Sequence, residues 1–433
     1  MKISNFILSA VLLFTILSPV IKSQNLRLEQ KNRNGIYLRG EKIEMFAFSE
    51  GINIDSVTIT VLKNNKEELE KKTLLMGQDS LMVFSGSFDI SCSVMILAKY
   101  KGGMTSLGSV VDPENLKPGS VIPTDFKAYW KKQKKDLQAL SWDVKVTSVK
   151  DESVTGGYIC EDVEINCLGP KPARGYYARP ENVKPGSLPA VLLVHAAGVK
   201  GSWCRSELMN TMKYAKMGAI CYDLNAHGML NGQSEEYYDQ LEKGELKGYW
   251  MQGLSRRDDY YFRGMYLRLL RAIEFLARQP EWDGKRILVI GESQGGGQAL
   301  AAAGLDNRVS AVVAIVPAMC DWLGPLVDRK GGWPHPFETD ASKEELMKTL
   351  PYFDAAYLLK GSKALIFAEI GLIDITCPSA SVYAAVNQAK GKKIVYPVPY
   401  RAHQQPPADT DLAKLWHETV YKPREQFINN YLK

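Results

Sequence analysis

The chain has 433 residues, 45% of them hydrophobic and 24% charged, with a formal net charge of +6. That length suffices for two domains and a sizeable core, and the balance is that of an ordinary soluble globular protein. Lys and Arg are scattered rather than blocked, which leaves no nucleic-acid footprint; the most basic run, Lys131–Lys135, reads as the solvated face of a helix.

Residues 1–23 read as a targeting signal. Lys2 gives a charged start, Phe6–Leu17 is an apolar stretch too short to span a bilayer, and Ser18-Pro19 breaks it before cleavage near Ser23. No Cys stands at that junction, which speaks against a lipid anchor. No later segment is long and apolar enough for a membrane helix. The expectation is an exported protein, periplasmic or secreted, with no membrane span.

Residues 24–112 read as a small β-sandwich-like domain. Strands are expected at Lys42–Phe48, Val57–Lys63, Leu81–Phe88 and Cys92–Tyr100. In the second, Val57, Ile59 and Val61 alternate with Thr58 and Thr60, the period of a half-buried strand. The segment Asp112–Pro123 carries three prolines and reads as a linker, occupying 113–123 between the domains.

From residue 124 to 433 strands alternate with helices. Phe126, Tyr129 and Trp130 open an amphipathic helix. Strands follow at Leu188–Val194, Ala219–Leu224, Arg286–Ile290, Val309–Ile315, Ala364–Glu369 and Lys393–Val398. Helices fall at Glu207–Met217, Phe262–Arg278 and Gln294–Ala303. Repeated β-α units predict an α/β fold with a doubly wound, mostly parallel sheet.

Within this region stands Gly291-Glu292-Ser293-Gln294-Gly295, a Gly-x-Ser-x-Gly turn between a strand and a helix of small residues. Such a nucleophile elbow is the mark of the α/β-hydrolase fold. The turn is sharp, and the glycines make room for the neighbouring strand and helix. Ser293 is then the nucleophile, and the backbone N–H of Gln294 is an oxyanion donor at a helix N-terminus.

A serine needs a base, and in this fold the acid and then the histidine follow it in the chain. His195 and His227 precede Ser293, so order disfavours them. His335 lies between prolines, and His417 sits in a helical run. His403, in the loop after Lys393–Val398, is the expected base. Asp374 in Gly371-Leu372-Ile373-Asp374 is the expected acid, with Glu369 as its rival within the strand. The second oxyanion donor belongs to the loop after Leu188–Val194, where the Ala197 N–H is favoured and Ala196 is its neighbour. His195 is read as an anchor of that loop.

The seven cysteines form no Cys-x-x-Cys pair, which disfavours zinc and any other metal site. Their odd number leaves at least one unpaired. An aromatic insertion lies between Gly228 and Tyr261; a flap or a contact in a homo-oligomer are the roles open to it. Tyr249 and Trp250 there, with Trp203 and Trp322, are candidate substrate-binding residues. For each one singly, packing against the core is the plainer reading.

At these residues the chain resembles the acetyl xylan esterase and cephalosporin-C deacetylase family, carbohydrate esterase family seven. The most specific segment is Gly291-Glu292-Ser293-Gln294-Gly295-Gly296, similar to the family's Gly-x-Ser-Gln-Gly-Gly. Gly371-Leu372-Ile373-Asp374-Ile375-Thr376-Cys377-Pro378 resembles its Gly-Leu-x-Asp-x-x-Cys-Pro. Pro123–Trp130 is similar to its Pro-x-x-Phe-x-x-x-Trp opening, and Pro317–Asp321 resembles the segment before its lid. The resemblance covers roughly residues 115–433. It implies deacetylation of sugars such as acetylated xylan or xylo-oligosaccharides by a Ser-Asp-His triad, without a cofactor. Three segments depart from the family: His195-Ala196-Ala197 replaces His-Gly-Tyr, Ala226-His227-Gly228 replaces Arg-Gly-Gln, and His403-Gln404 replaces His-Glu. The β-domain in front is also unusual there. Two other functions fit the same residues: a serine peptidase or other-ester hydrolase, and a carbohydrate-binding protein with an inactive hydrolase core.

Overall fold

Alternation of side chains builds the N-terminal region. The computed structural model describes residues 26–49, 54–77, 80–150 and 155–433, so the targeting signal read over residues 1–23 lies outside the described residues. Eight strands come first: β1 (Leu26–Gln30), β2 (Ile36–Tyr37), β3 (Ile43–Ser49), β4 (Ser56–Lys63), β5 (Glu67–Leu75), β6 (Ser80–Gly86), β7 (Cys92–Tyr100) and β8 (Gly103–Val111). They form a three-stranded sheet, β1-β3-β6, and a five-stranded sheet, β2-β8-β7-β4-β5. Leu28, Met45 and Val83 of the first sheet meet Val57, Ile59 and Ile96 of the second in one apolar core. Strand β5 was not expected from the sequence. Its residues, Glu67-Glu68-Leu69-Glu70-Lys71-Lys72, are those of a charged edge strand, which discourages pairing with another chain.

The segment 113–123 is packed rather than loose. The Gly119 N–H donates to Asp321 Oδ1 at 2.7 Å, and Asn387 Nδ2 donates to the Pro113 and Leu116 carbonyls at 2.8 and 3.0 Å.

Nine further strands make one sheet: β9 (Val144–Ser148), β10 (Tyr158–Ile165), β11 (Ala173–Pro180), β12 (Leu188–Val194), β13 (Ile220–Asn225), β14 (Trp282–Glu292), β15 (Ala311–Ile315), β16 (Leu365–Gly371) and β17 (Lys393–Val398). Their order is β17-β16-β15-β14-β12-β13-β11-β10-β9. The pairs from β13 through β17 are parallel, and β9 to β11 add an antiparallel edge. That edge was not expected from the sequence: β9 is largely exposed and carries no apolar run, and β10 and β11 interleave charged residues with their buried ones.

Helices α1 (Phe126–Ala139), α2 (Leu208–Lys216), α3 (Glu235–Lys243), α4 (Tyr261–Ala277) and α5 (Gln294–Leu305) pack around this sheet. Met265, Leu269, Ala272 and Leu276 of α4 are fully buried, as their helical spacing predicts. The helical run expected around His417 is α-helix over Asp411–Trp416, widens to a π-turn over His417–Tyr421, and resumes as α-helix over Lys422–Leu432. The carboxyl ends of the parallel strands β12 to β17 all face one rim of the sheet, which is where ligands meet a doubly wound fold.

Candidate active site

Strand β14 ends at Glu292 and α5 begins at Gln294, which leaves Ser293 alone to reverse the chain. Its φ is 56° and its ψ −118°, a strained conformation for a residue with a side chain. The strain is held from both sides: the Ser293 N–H donates to the Ile315 carbonyl, and its own carbonyl accepts from Gly297 and Ala318. The motif glycines are steric requirements. A Cβ on Gly291 would sit 2.3 Å from the Gly295 carbonyl carbon, and one on Gly295 would sit 2.4 Å from the Val194 oxygen. Gln294 is the first residue of α5, where N–H groups have no partner within the helix.

His403 Nε2 lies 2.9 Å from Ser293 Oγ, and His403 Nδ1 lies 2.8 Å from Asp374 Oδ2. Asp374 is fully buried, and its other oxygen accepts the N–H groups of Thr376 and Cys377, each at 2.8 Å. A carboxylate held this way keeps the proton on Nδ1 and leaves Nε2 to accept from the serine hydroxyl. The arrangement can therefore take a proton from Ser293 as an ester carbonyl is attacked, and return it to the leaving alcohol.

The rival acid, Glu369, is used elsewhere. Its carboxylate is buried among Arg401, Arg424 (3.0 Å) and the Trp416 indole N–H (2.6 Å). Arg401 also reaches Glu292 at 3.0 Å, so this ionic cluster ties the strand before Ser293 to the loop that bears His403. Burial lowers the Arg401 pKa to about 10.

The loop after β12 is fixed by two histidines. His195 Nε2 bonds Asp223 in a buried pair; burial opposes the histidine's charge, but Asp223 outweighs it and raises the pKa. His227 Nε2 donates to the Gly198 carbonyl at 3.0 Å, and its Nδ1 accepts from the Tyr261 hydroxyl at 2.7 Å. Burial, and then the nearby Arg268 charge, push the His227 pKa down to about 3, so it stays neutral. His227 anchors the loop, a role the sequence reading did not assign; its place at the carboxyl end of β13 was the available signal. Ala196, Ala197 and Gly198 are half-buried at the rim.

Two of the four aromatic candidates do not face a substrate. Tyr249 is fully buried, and its hydroxyl donates to Gln294 Oε1 at 2.5 Å. Trp322 is fully buried, and its indole N–H donates to the Trp333 carbonyl at 2.8 Å. The large aromatic area of each went to the core because its one polar atom found an internal partner. Trp250 is half-buried against Trp333, with ring centroids 5.8 Å apart. Trp203 is 66% exposed beside Gly198 and Gly201. Neither of the remaining histidines bonds Ser293 Oγ: His335 Nδ1 bonds the Gly331 carbonyl, near enough to Asp374 to feel its charge, and His417 is exposed on the Tyr421 ring.

Asp374, Cys377 and His403 are the one cluster among the described residues whose atoms are close enough to share a cation. Both Asp374 oxygens are already committed, and burial pushes the Cys377 thiol pKa well up, so the donor set suits a hydrogen-bond relay better than a metal. All seven cysteines are free thiols.

A mostly parallel, doubly wound sheet with a strained serine between strand and helix defines the α/β-hydrolase class. Residues 112–418 match the family model for acetyl xylan esterase, and the chain belongs to that family, a family of carboxylic ester hydrolases. It is 32% identical over 295 residues to the acetyl esterase Axe7A of Xylanibacter ruminicola, an alignment covering 67% of this chain and 66% of that protein; the chain thus spans just under two thirds of that relative's length. The acetyl xylan esterase from Paenibacillus sp. R4 has a similar structure, with TM-score 0.60, 28% identity, and 74% of this chain and 98% of that one covered. For acetyl xylan esterase 1 from Thermoanaerobacterium sp. JW/SL YS485 the TM-score is 0.58 at 21% identity, again over 74% and 98%, a likeness of fold.

Proposed function

We propose that this protein is an exported serine esterase that removes acetyl or other short acyl groups from carbohydrates such as acetylated xylan or xylo-oligosaccharides. The observation that carries the reading is the relay Ser293–His403–Asp374, with bonds of 2.9 and 2.8 Å at a strained strand-to-helix turn. His403 takes the Ser293 proton as the hydroxyl attacks the acyl carbonyl. The N–H groups of Gln294 and Ala197 hold the tetrahedral oxyanion. His403 protonates the departing sugar oxygen, and a water then releases the acid.

Membership of the acetyl xylan esterase family and 32% identity to an acetyl esterase support the acetyl group and the sugar alcohol. Export rests on the charged-then-apolar pattern of residues 1–23. Trp203, exposed beside the loop of Ala197, and Trp250 are the remaining candidates for stacking on a sugar ring. A series of p-nitrophenyl esters from acetyl to octanoyl, run beside acetylated xylo-oligosaccharides, tests the reading. Highest kcat/KM on acetyl esters is expected, whereas a preference for octanoyl would remove the deacetylase assignment.

A further inference from the structure

The turn 64–66 between β4 and β5 leaves the sandwich and enters the hydrolase. Asn64 and Asn65 both have a φ of 54°, a left-handed conformation that asparagine tolerates better than most side chains. Asn64 is locked to β7 from both sides: its N–H donates to the Ser93 carbonyl at 2.8 Å, and its Oδ1 accepts the Ser93 N–H at 3.0 Å. Beyond it, Asn65 Nδ2 donates to the backbone carbonyl of Asp374 at 3.2 Å, and the Asn64 carbonyl accepts the Lys330 N–H at 3.1 Å.

A second contact lands on the neighbouring loop. The Gly108 N–H of β8 donates to the Pro399 carbonyl at 2.9 Å, four residues before His403. Gly108 also seats the chain two residues before Asp374, since a Cβ there would stand 2.3 Å from the Leu372 oxygen. Gly35, at φ 72°, is pressed against the same two residues: its Cβ would meet Leu372 Cδ1 at 2.7 Å and Pro399 Cγ at 3.1 Å. These contacts gather on the loops bearing the proposed acid and base.

We infer that the N-terminal β-sandwich is a working part of the active site, holding the acid and base loops in register, with Asn65 as a positioning residue for Asp374. The inference rests on the Ser293–His403–Asp374 reading above. A relay of two short hydrogen bonds tolerates little displacement: an error of about 1 Å can cost on the order of a hundredfold in rate. The turn grips the carbonyl of Asp374 itself, so its loss acts on the carboxylate's aim rather than on substrate contacts.

Two substitutions in the full-length chain separate positioning from folding. Asn65→Gly keeps the left-handed turn and deletes the amide. Asn65→Asp keeps turn and shape but presents an acceptor to the Asp374 carbonyl. With p-nitrophenyl acetate, kcat is expected to fall about tenfold in both, with KM within about twofold and a thermal midpoint that, though lowered by the lost hydrogen bond, stays well above the assay temperature. Wild-type kcat in both variants would overturn the inference, as would a loss of rate that only follows a loss of folded protein. The wild type keeps the two ideas apart. If it turns over and the Asn65 variants match it, this inference alone fails; if it is inert, the esterase reading fails and takes the inference with it.

Discussion

The hydroxyl of Tyr249 donates a 2.5 Å hydrogen bond to Oε1 of Gln294, the residue that follows Ser293. The insertion between Gly228 and Tyr261 is thereby tied to the helix end where the oxyanion is proposed to bind. Gln294 Nε2 has no partner among the described residues, so Tyr249 supplies a large share of what holds this buried amide.

Tyr249→Phe removes that donor at nearly constant volume. A buried polar group left without its partner costs about 1–3 kcal/mol. Urea unfolding should register a loss of that size, and kcat on acetyl esters should fall with KM little changed. Unaltered stability would show that Gln294 has another partner.

The two buried carboxylates should fail differently. Asp374→Asn preserves the packing but lets Nδ1 of His403 lose its acceptor, and kcat should drop by about three to four orders of magnitude in a folded protein. Glu369→Gln weakens a buried ionic cluster with Arg401 and Arg424, which should cost about 3–5 kcal/mol of stability. Its folded fraction should still react with a fluorophosphonate. Comparing unfolding curves and labelling for the two variants checks both halves.

His227 predicts a pH dependence of stability. Its folded pKa is lowered to about 3, while the unfolded side chain titrates near 6.5. Below about pH 6.5 the unfolded chain therefore binds the extra proton, and stability falls by up to about 1.4 kcal/mol per pH unit until the folded pKa is reached. His195 acts with the opposite sign but is common to wild type and variant. In His227→Gln this loss is absent, so the stability advantage of the wild type should shrink as pH goes from 7 to 5. A constant difference across that range would contradict a neutral buried His227.

The relay was legible in the sequence because its geometry is carried by chain order and local pattern. Gly291 and Gly295 flank a turn that side chains would block, and Asp374 and His403 each follow a parallel strand. What pairs across long separations was not legible. Nothing local in Asn64-Asn65 indicates that this turn meets Asp374, 309 residues later in the chain. Tyr249 and Trp322 carry the composition of a sugar platform, and only the packing shows that their polar atoms are satisfied inside. Strand β5 was missed because edge strands carry charge where inner strands carry apolar side chains.

The central claim is that Ser293 performs the attack. Acetate release from acetylated xylo-oligosaccharides, followed for the wild type and for Ser293→Ala purified in folded form, tests it most directly. Steady release by the wild type and loss of at least about a thousandfold in the variant are expected. Equal release by both would place the reaction on another residue.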